Sequence, residues 1–238
     1  MTLESGERFA AGGLGRHVHE LGIRMLVLPA DPGSDAVPVG RDVLAWLKEP
    51  RESPYGGPYP SWGHRDRGVN GAVLTYEQYR DDKGWGRYLA LHRHGGLEIG
   101  LGNATYSVRG ITRDIRVFRL RPIVGLAWIG ASLQNEIIER WQLQGQFEIC
   151  LAIRNTQGAS LGDFAEGWAN PGQGLIDFTT CLDDHLLLRR EVTDNLDPEE
   201  YALNIADKVD QAFGSLSQRH LARTGNYQGR FDPRFQAL

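Results

Sequence analysis

The chain is short of cysteine, short of lysine and without a long apolar run, and each shortage removes a class of function. Only Cys150 and Cys181 are present, far apart and not in a C-x-x-C pair, which leaves no disulfide framework and no cysteine-built zinc ribbon. With no secretory apolar segment either, the sequence reads as a cytoplasmic protein with reduced thiols. No stretch approaches the ~20 apolar residues of a membrane-spanning helix, so no membrane partner is expected. Motifs of covalent catalysis are missing as well: no serine stands in a Gly-x-Ser-x-Gly context, and neither cysteine has a neighbouring histidine. The glycines at 95, 96, 100 and 102 do not lead from a strand into a helix, so they fail as a phosphate loop and no cofactor is implied.

Charge is uneven. Of the 26 basic residues only Lys48, Lys83 and Lys208 are lysine. Guanidinium forks suit phosphate or carboxylate recognition, but together with 30 glycines and two methionines the bias reads as GC-rich coding. A net charge of −4 argues against a protein that coats nucleic acid, although a local patch survives such an average. Arg109, Arg113, Arg116, Arg119 and Arg121 make residues 109–121 basic, residues 183–210 are acidic, and the tail is basic again.

What is present is a pattern of strands. The segment from Trp85 to Leu101 alternates apolar and polar positions around Gly95-Gly96 and predicts a β-hairpin. A three-residue loop, His94-Gly95-Gly96, would pair Arg93 with Leu97, Leu91 with Ile99 and Leu89 with Leu101, making one face continuously apolar and setting His92 beside Glu98 on the other. Further strands are expected over 23–28, 72–79, 105–109, 115–120, 147–153 and 185–192. Helices are expected over 41–48, over 122–141 with Pro122 as its first residue and Gly145 as its stop, and over 197–213 behind an Asp197 cap. Residues 49–68 and 155–180 read as irregular. The strands between 72 and 120 leave no room for crossover helices, so the expected fold is α+β: an antiparallel or mixed sheet of six to eight strands covered by two main helices. Residues 1–15 form a flexible arm, 16–214 a single domain and 215–238 a basic tail.

Three places carry candidate chemistry. His92 with Glu98, and Asp183 with His185 beside Asp184, offer carboxylates and imidazoles for a metal-independent hydrolase or nuclease. His17-x-His19 and His92-x-His94 have the spacing of two ligands on one strand face but no third, so no metal site is expected. The aromatic and basic run containing Tyr55, Tyr59, Trp62, His64, Arg65 and Arg67 suits a recognition loop, able to stack on bases or clamp a peptide.

The hairpin, with an aromatic and two leucines leading to Arg93, then a glycine turn and Glu98, resembles a segment downstream of the DNA-binding module in bacterial Schlafen-like (AlbA-type) DNA-binding proteins. The similarity in element order runs over roughly 16–213. It implies a sensor, adaptor or effector-associated domain in stress or phage defence, and it carries over no functional residue, because the module itself is not recognisable here. The leading expectation is therefore a non-catalytic recognition domain for a protein partner, with nucleic acid as the second ligand class and the hydrolase or nuclease as the competing one. Because the histidine pairs lack companions, elemental analysis should find no stoichiometric zinc and the melting temperature should be the same in EDTA; a melt that collapses in chelator would contradict this.

Overall fold

The computed structural model describes residues 13–18, 21–30, 35–49, 51–52, 58–59, 65–69, 71–78, 84–102, 105–109, 114–163, 175–193, 195–214, 221–222 and 230–231. Among the described residues, fifteen strands and three α-helices follow a 3-10 helix at Gly13–His17, which takes up residues 13–15 of the expected arm. The strands are β1 (Leu21–Pro29), β2 (Arg51–Glu52), β3 (Pro58–Tyr59), β4 (Arg65–Val69), β5 (Ala72–Gln78), β6 (Trp85–His92), β7 (Leu97–Gly102), β8 (Thr105–Arg109) and β9 (Asp114–Arg119). They continue with β10 (Phe147–Arg154), β11 (Ser160–Asp163), β12 (Leu175–Thr180), β13 (His185–Val192), β14 (Leu221–Ala222) and β15 (Arg230–Phe231). The helices are α1 (Arg41–Leu47), α2 (Leu120–Trp141) and α3 (Pro198–Ala212).

The fold is α+β, as composition and spacing predict. Its main sheet has seven strands in the order β13-β10-β1-β7-β6-β5-β4, and every pairing in it is antiparallel. One face is continuously apolar: Ile23, Met25, Val27, Leu89, Leu91, Leu97, Ile99, Ile149 and Leu151 are all buried there. Helix α2 lies on that face against β1 and β7, and α3 packs on α2. Of the stripe that helical spacing predicts, Ile123, Leu126, Ala127, Gly130, Leu133 and Ile137 are buried and Trp141 is half-buried, and Val124 and Ala131 widen it, because α2 touches β11 of the second sheet and α3 as well as the main sheet. At Gly130 a Cβ would run into the side chain of Met25, so glycine sets how closely α2 approaches β1.

Several boundaries differ from expectation. The hairpin loop is Arg93-His94-Gly95, with the His92 N–H donating to the Gly96 carbonyl at 2.8 Å. Leu91 therefore faces Leu97, Leu89 faces Ile99 and Arg87 faces Leu101. The shift is by two residues, so the faces are those expected and only the partners change. Gly95 supplies the left-handed turn residue, at φ 82°. Strands β8 and β9 do not continue the meander; they join β11 and β12 in a four-stranded sheet in which β9 and β11 run parallel. That sheet also absorbs parts of 155–180, expected to be irregular. Likewise 49–68 contains β2 and β3, which pair with each other, and β4, which closes one end of the main sheet. The missed signal was Asn70-Gly71 in the sequence: Gly71 has φ 71°, and Val69 pairs with Ala72.

Helix α2 begins at Leu120, which places Pro122 in its first turn rather than at its first residue, where a missing N–H is equally harmless. It ends through Gln142 in the left-handed region, not through Gly145. Asp197 caps α3 as expected, accepting from the Glu199 and Glu200 N–H groups. The expected tail contains β14 and β15, paired as a short ribbon.

Leu133 is fully buried in the middle of α2. Leu133→Ala should cost roughly 2–5 kcal/mol of unfolding free energy in a urea titration; a loss below ~1 kcal/mol would place it outside the core.

Candidate functional site

On the sheet face away from α2, three strands bring together a charged cluster. Arg24 on β1 and Tyr88 on β6 both stand opposite Gly100 of β7, and two residues along β7 lies Glu98. Glycine has no side chain to fill this point, and a Cβ there would collide with the Tyr88 ring. The two flanking residues can therefore lean toward the same carboxylate. Arg24 donates from Nη2 to Glu98 Oε1 at 2.9 Å, and the Tyr88 hydroxyl donates to Oε2 at 2.9 Å. Glu98 and Arg24 are each only 4% exposed, so this is a buried ion pair with both carboxylate oxygens engaged.

His92 completes the edge of the cluster, with Nε2 3.8 Å from Glu98 Oε1. It reaches Glu98 diagonally, since Ala90 is the residue directly opposite. Burial alone would push the Glu98 carboxyl up, but His92, the Arg24 charge and the Tyr88 hydroxyl together hold it below its ordinary value. Burial, with the charge of Glu98, drives the Tyr88 hydroxyl well above its ordinary range. The carboxylate is thus ionised and the phenol protonated at neutral pH, which is the state their hydrogen bond requires.

The turn beyond His92 reaches a different surface. The rings of His92 and His94 stack with centroids 5.2 Å apart and planes at 8°. The Gly96 N–H donates to His94 Nδ1 at 3.1 Å. At Gly95 a Cβ would stand 2.5 Å from Leu143 Cδ1, so the absence of a side chain lets the turn dock on the α2–β10 connection. There an open cleft of about 420 Å³ is lined by His94, Trp141, Gln142, Gln144, Gln146 and Phe147 among others. A second of about 440 Å³ shares Gln144 and Phe147 and adds Thr193 and Asn195. Among the described residues no carboxylate, lysine or arginine lines either one. Burial, then the neighbouring His92, lowers the His94 pKa below its ordinary 6.5.

The candidate acids and bases do not converge. Strand β13 is three places from β7 in the sheet order, roughly 14 Å at ~4.8 Å per strand. His185 pairs with Arg154, four residues along β10 from Cys150, the residue in line with Glu98. Asp183 serves the chain locally: its carbonyl accepts from the Thr156 hydroxyl at 2.5 Å. Cys150 is held as a thiol, raised to about 12 by burial and by Glu148. Of the expected recognition loop, Tyr55, Trp62 and His64 lie outside the described residues. Tyr59 stands on β3, and Arg65 and Arg67 stand on β4 rather than in a loop. His17 lies against Trp85 in a tilted ring contact with centroids 4.8 Å apart, and His19 lies outside the described residues. No group of three or more His, Cys, Asp or Glu able to hold a metal occurs among the described residues, and no described helix is long and apolar enough to cross a membrane.

Arg24 and Tyr88 were not singled out from sequence. The available signal was that Arg24 and Glu98 are each a lone charge inside an apolar strand, but their pairing spans 74 residues. Comparison with protein-family models, curated proteins and solved structures finds no match for this chain.

Removing the carboxylate strands a buried guanidinium. Glu98→Gln should destabilise the fold by roughly 3–5 kcal/mol, and Arg24→Met with Glu98→Leu should recover most of it. Because the folded carboxyl lies below its ordinary 4.5, its stabilisation is present in full above that value and is lost as pH falls through the folded pKa. Urea midpoints measured down the acid limb should show that loss in wild type, with this component missing in Glu98→Gln.

Proposed function

We propose that this chain is a non-catalytic recognition domain that binds a protein partner in the cytoplasm. The observation that carries the reading is the separation of its chemistry from its accessible surface. Its buried carboxylate is fully engaged by Arg24 and Tyr88, the second acid–histidine group lies on another strand at the far end of the sheet, and the described residues lining the open clefts offer amides, a hydroxyl and aromatic rings. Catalysis by general acid and base needs both groups within reach of one proton. Recognition of a protein surface needs the reverse, apolar anchors with a few polar contacts and no charge left unpaired.

Nucleic acid is the second ligand class. It requires phosphate neutralisation by lysine or arginine, which no described lining residue of the clefts offers and which Arg65 and Arg67 on β4 could supply. The Schlafen-like resemblance of the hairpin supports a sensor or adaptor role in stress or phage defence.

Photo-crosslinking in the native cell tests this. Benzoyl-phenylalanine at position 144 or 67 should yield a discrete protein adduct, and at the exposed Glu199 of α3 it should not. Recovery of nucleic acid in place of protein would overturn the protein-partner assignment. Hydrolysis of a peptide or phosphodiester substrate that is lost in His92→Ala would overturn the non-catalytic one.

A further inference from the structure

Resting on the recognition reading, we propose that the corner where the chain crosses between its two sheets anchors the protein partner: Leu182 enters an apolar pocket of that partner, and Asp183 and Asp184 meet lysine or arginine beside it. The chain passes from β10 in the main sheet to β11 in the second through residues 155–159, and returns from β12 to β13 through residues 181–184. The two crossings are bonded side by side. Leu182, on the returning one, is 82% exposed, the one large apolar side chain that stands so among the described residues.

A single apolar residue is ordinary on a protein surface, and a loose turn can fold it back onto its neighbours. This turn is held too firmly for that. The carbonyls of Cys181, Leu182, Asp183 and Asp184 all accept from the other crossing: from the Gly158 N–H at 2.9 Å, the Gln157 side-chain amide at 3.4 Å, the Thr156 hydroxyl at 2.5 Å and the Thr156 N–H at 3.0 Å. In return the Cys181 N–H donates to the Ala159 carbonyl at 2.9 Å. Thr156 is fully buried, so a hydroxyl has been taken out of water to hold the tip, and Asn155 before it takes the left-handed region at φ 58°. Turns favour glycine, asparagine, aspartate and serine. A leucine fixed outward on such a backbone loses little conformational freedom when a pocket closes over it. The residues after it set the chemistry of the rim. Asp183 and Asp184 are both exposed, and when a partner closes over the corner, lysine or arginine best replaces the water that their carboxylates lose. The acid group that stands too far from His92 to share a proton with it is thereby assigned to binding.

Benzoyl-phenylalanine at position 182 of the full-length protein, irradiated in the native cell, is the probe, with the linked peptide mapped by mass spectrometry. The adduct should fall in a partner segment that holds both apolar residues and lysine or arginine. With that partner purified, Leu182→Ala should weaken binding about tenfold or more. Asp183→Asn with Asp184→Asn should weaken it several-fold at low salt and flatten its salt dependence, because exposed charge pairs are screened. Both variants change exposed side chains and should leave the melting temperature nearly unchanged. Protein adducts at 144 or 67 with none at 182, an acidic linked segment, an adduct with a second copy of this chain, or full affinity in folded Leu182→Ala would each overturn the anchor while leaving the recognition reading in place. That reading fails separately if no protein adduct forms at 182, 144 or 67.

Discussion

The structure depends on a carboxylate that has been taken out of water without losing its charge. Glu98 can remain ionised under the sheet only where a cation and a hydroxyl meet both its oxygens, because a buried charge left alone costs far more than a packed apolar side chain. That condition ties β1, β6 and β7 to one another. A slip of one residue would turn Glu98 into the apolar face beneath α2, and a slip of two would either carry it away from Arg24 and Tyr88 or force its side chain into the point that Gly100 leaves open beside the Tyr88 ring. The buried pair therefore acts chiefly as a register device. The bulk of stability comes from the opposite face, where the sheet, α2 and α3 share a continuous core.

The same hairpin connects interior and surface. Its strands carry the Glu98 cluster, and its turn carries His94 onto the α2–β10 connection. Two adjacent glycines perform different tasks there: Gly95 takes the left-handed conformation and leaves space for Leu143, and Gly96 donates to His94 in a spot where a Cβ would lie 3.1 Å from the Val27 carbonyl. Substitution at either would disturb the shape of the cleft, although neither residue has a side chain with which to touch a ligand. Rigid strands thus position a short irregular segment, the usual division of labour between scaffold and binding loop.

Local rules accounted for most of the helices and for the face pattern of the strands. The Asp197-Pro198-Glu199-Glu200 start of α3 is legible because capping is decided within one turn. The apolar stripe of α2 is legible because periodicity reports which side is buried. Boundaries were less so. Pro122 fits several positions of a first turn equally well, and the end of α2 lies at Gln142, a residue that adopts the left-handed region only because the following chain must turn toward β10.

The sequence by itself determined the α+β class, the apolar and polar faces of the hairpin, the nearness of His92 to Glu98 and the absence of any covalent-catalysis motif, since each follows from alternation, spacing or residue type within a few positions. Tertiary structure alone decided that β8 and β9 leave the main sheet for a second one, that Arg24 closes on Glu98 across 74 residues, and that Asp183 and His185 stand far from His92. These are pairings between distant segments. Their energies come from burial and hydrogen bonding between partners that one-dimensional patterns mark as buried or charged, but never match to each other.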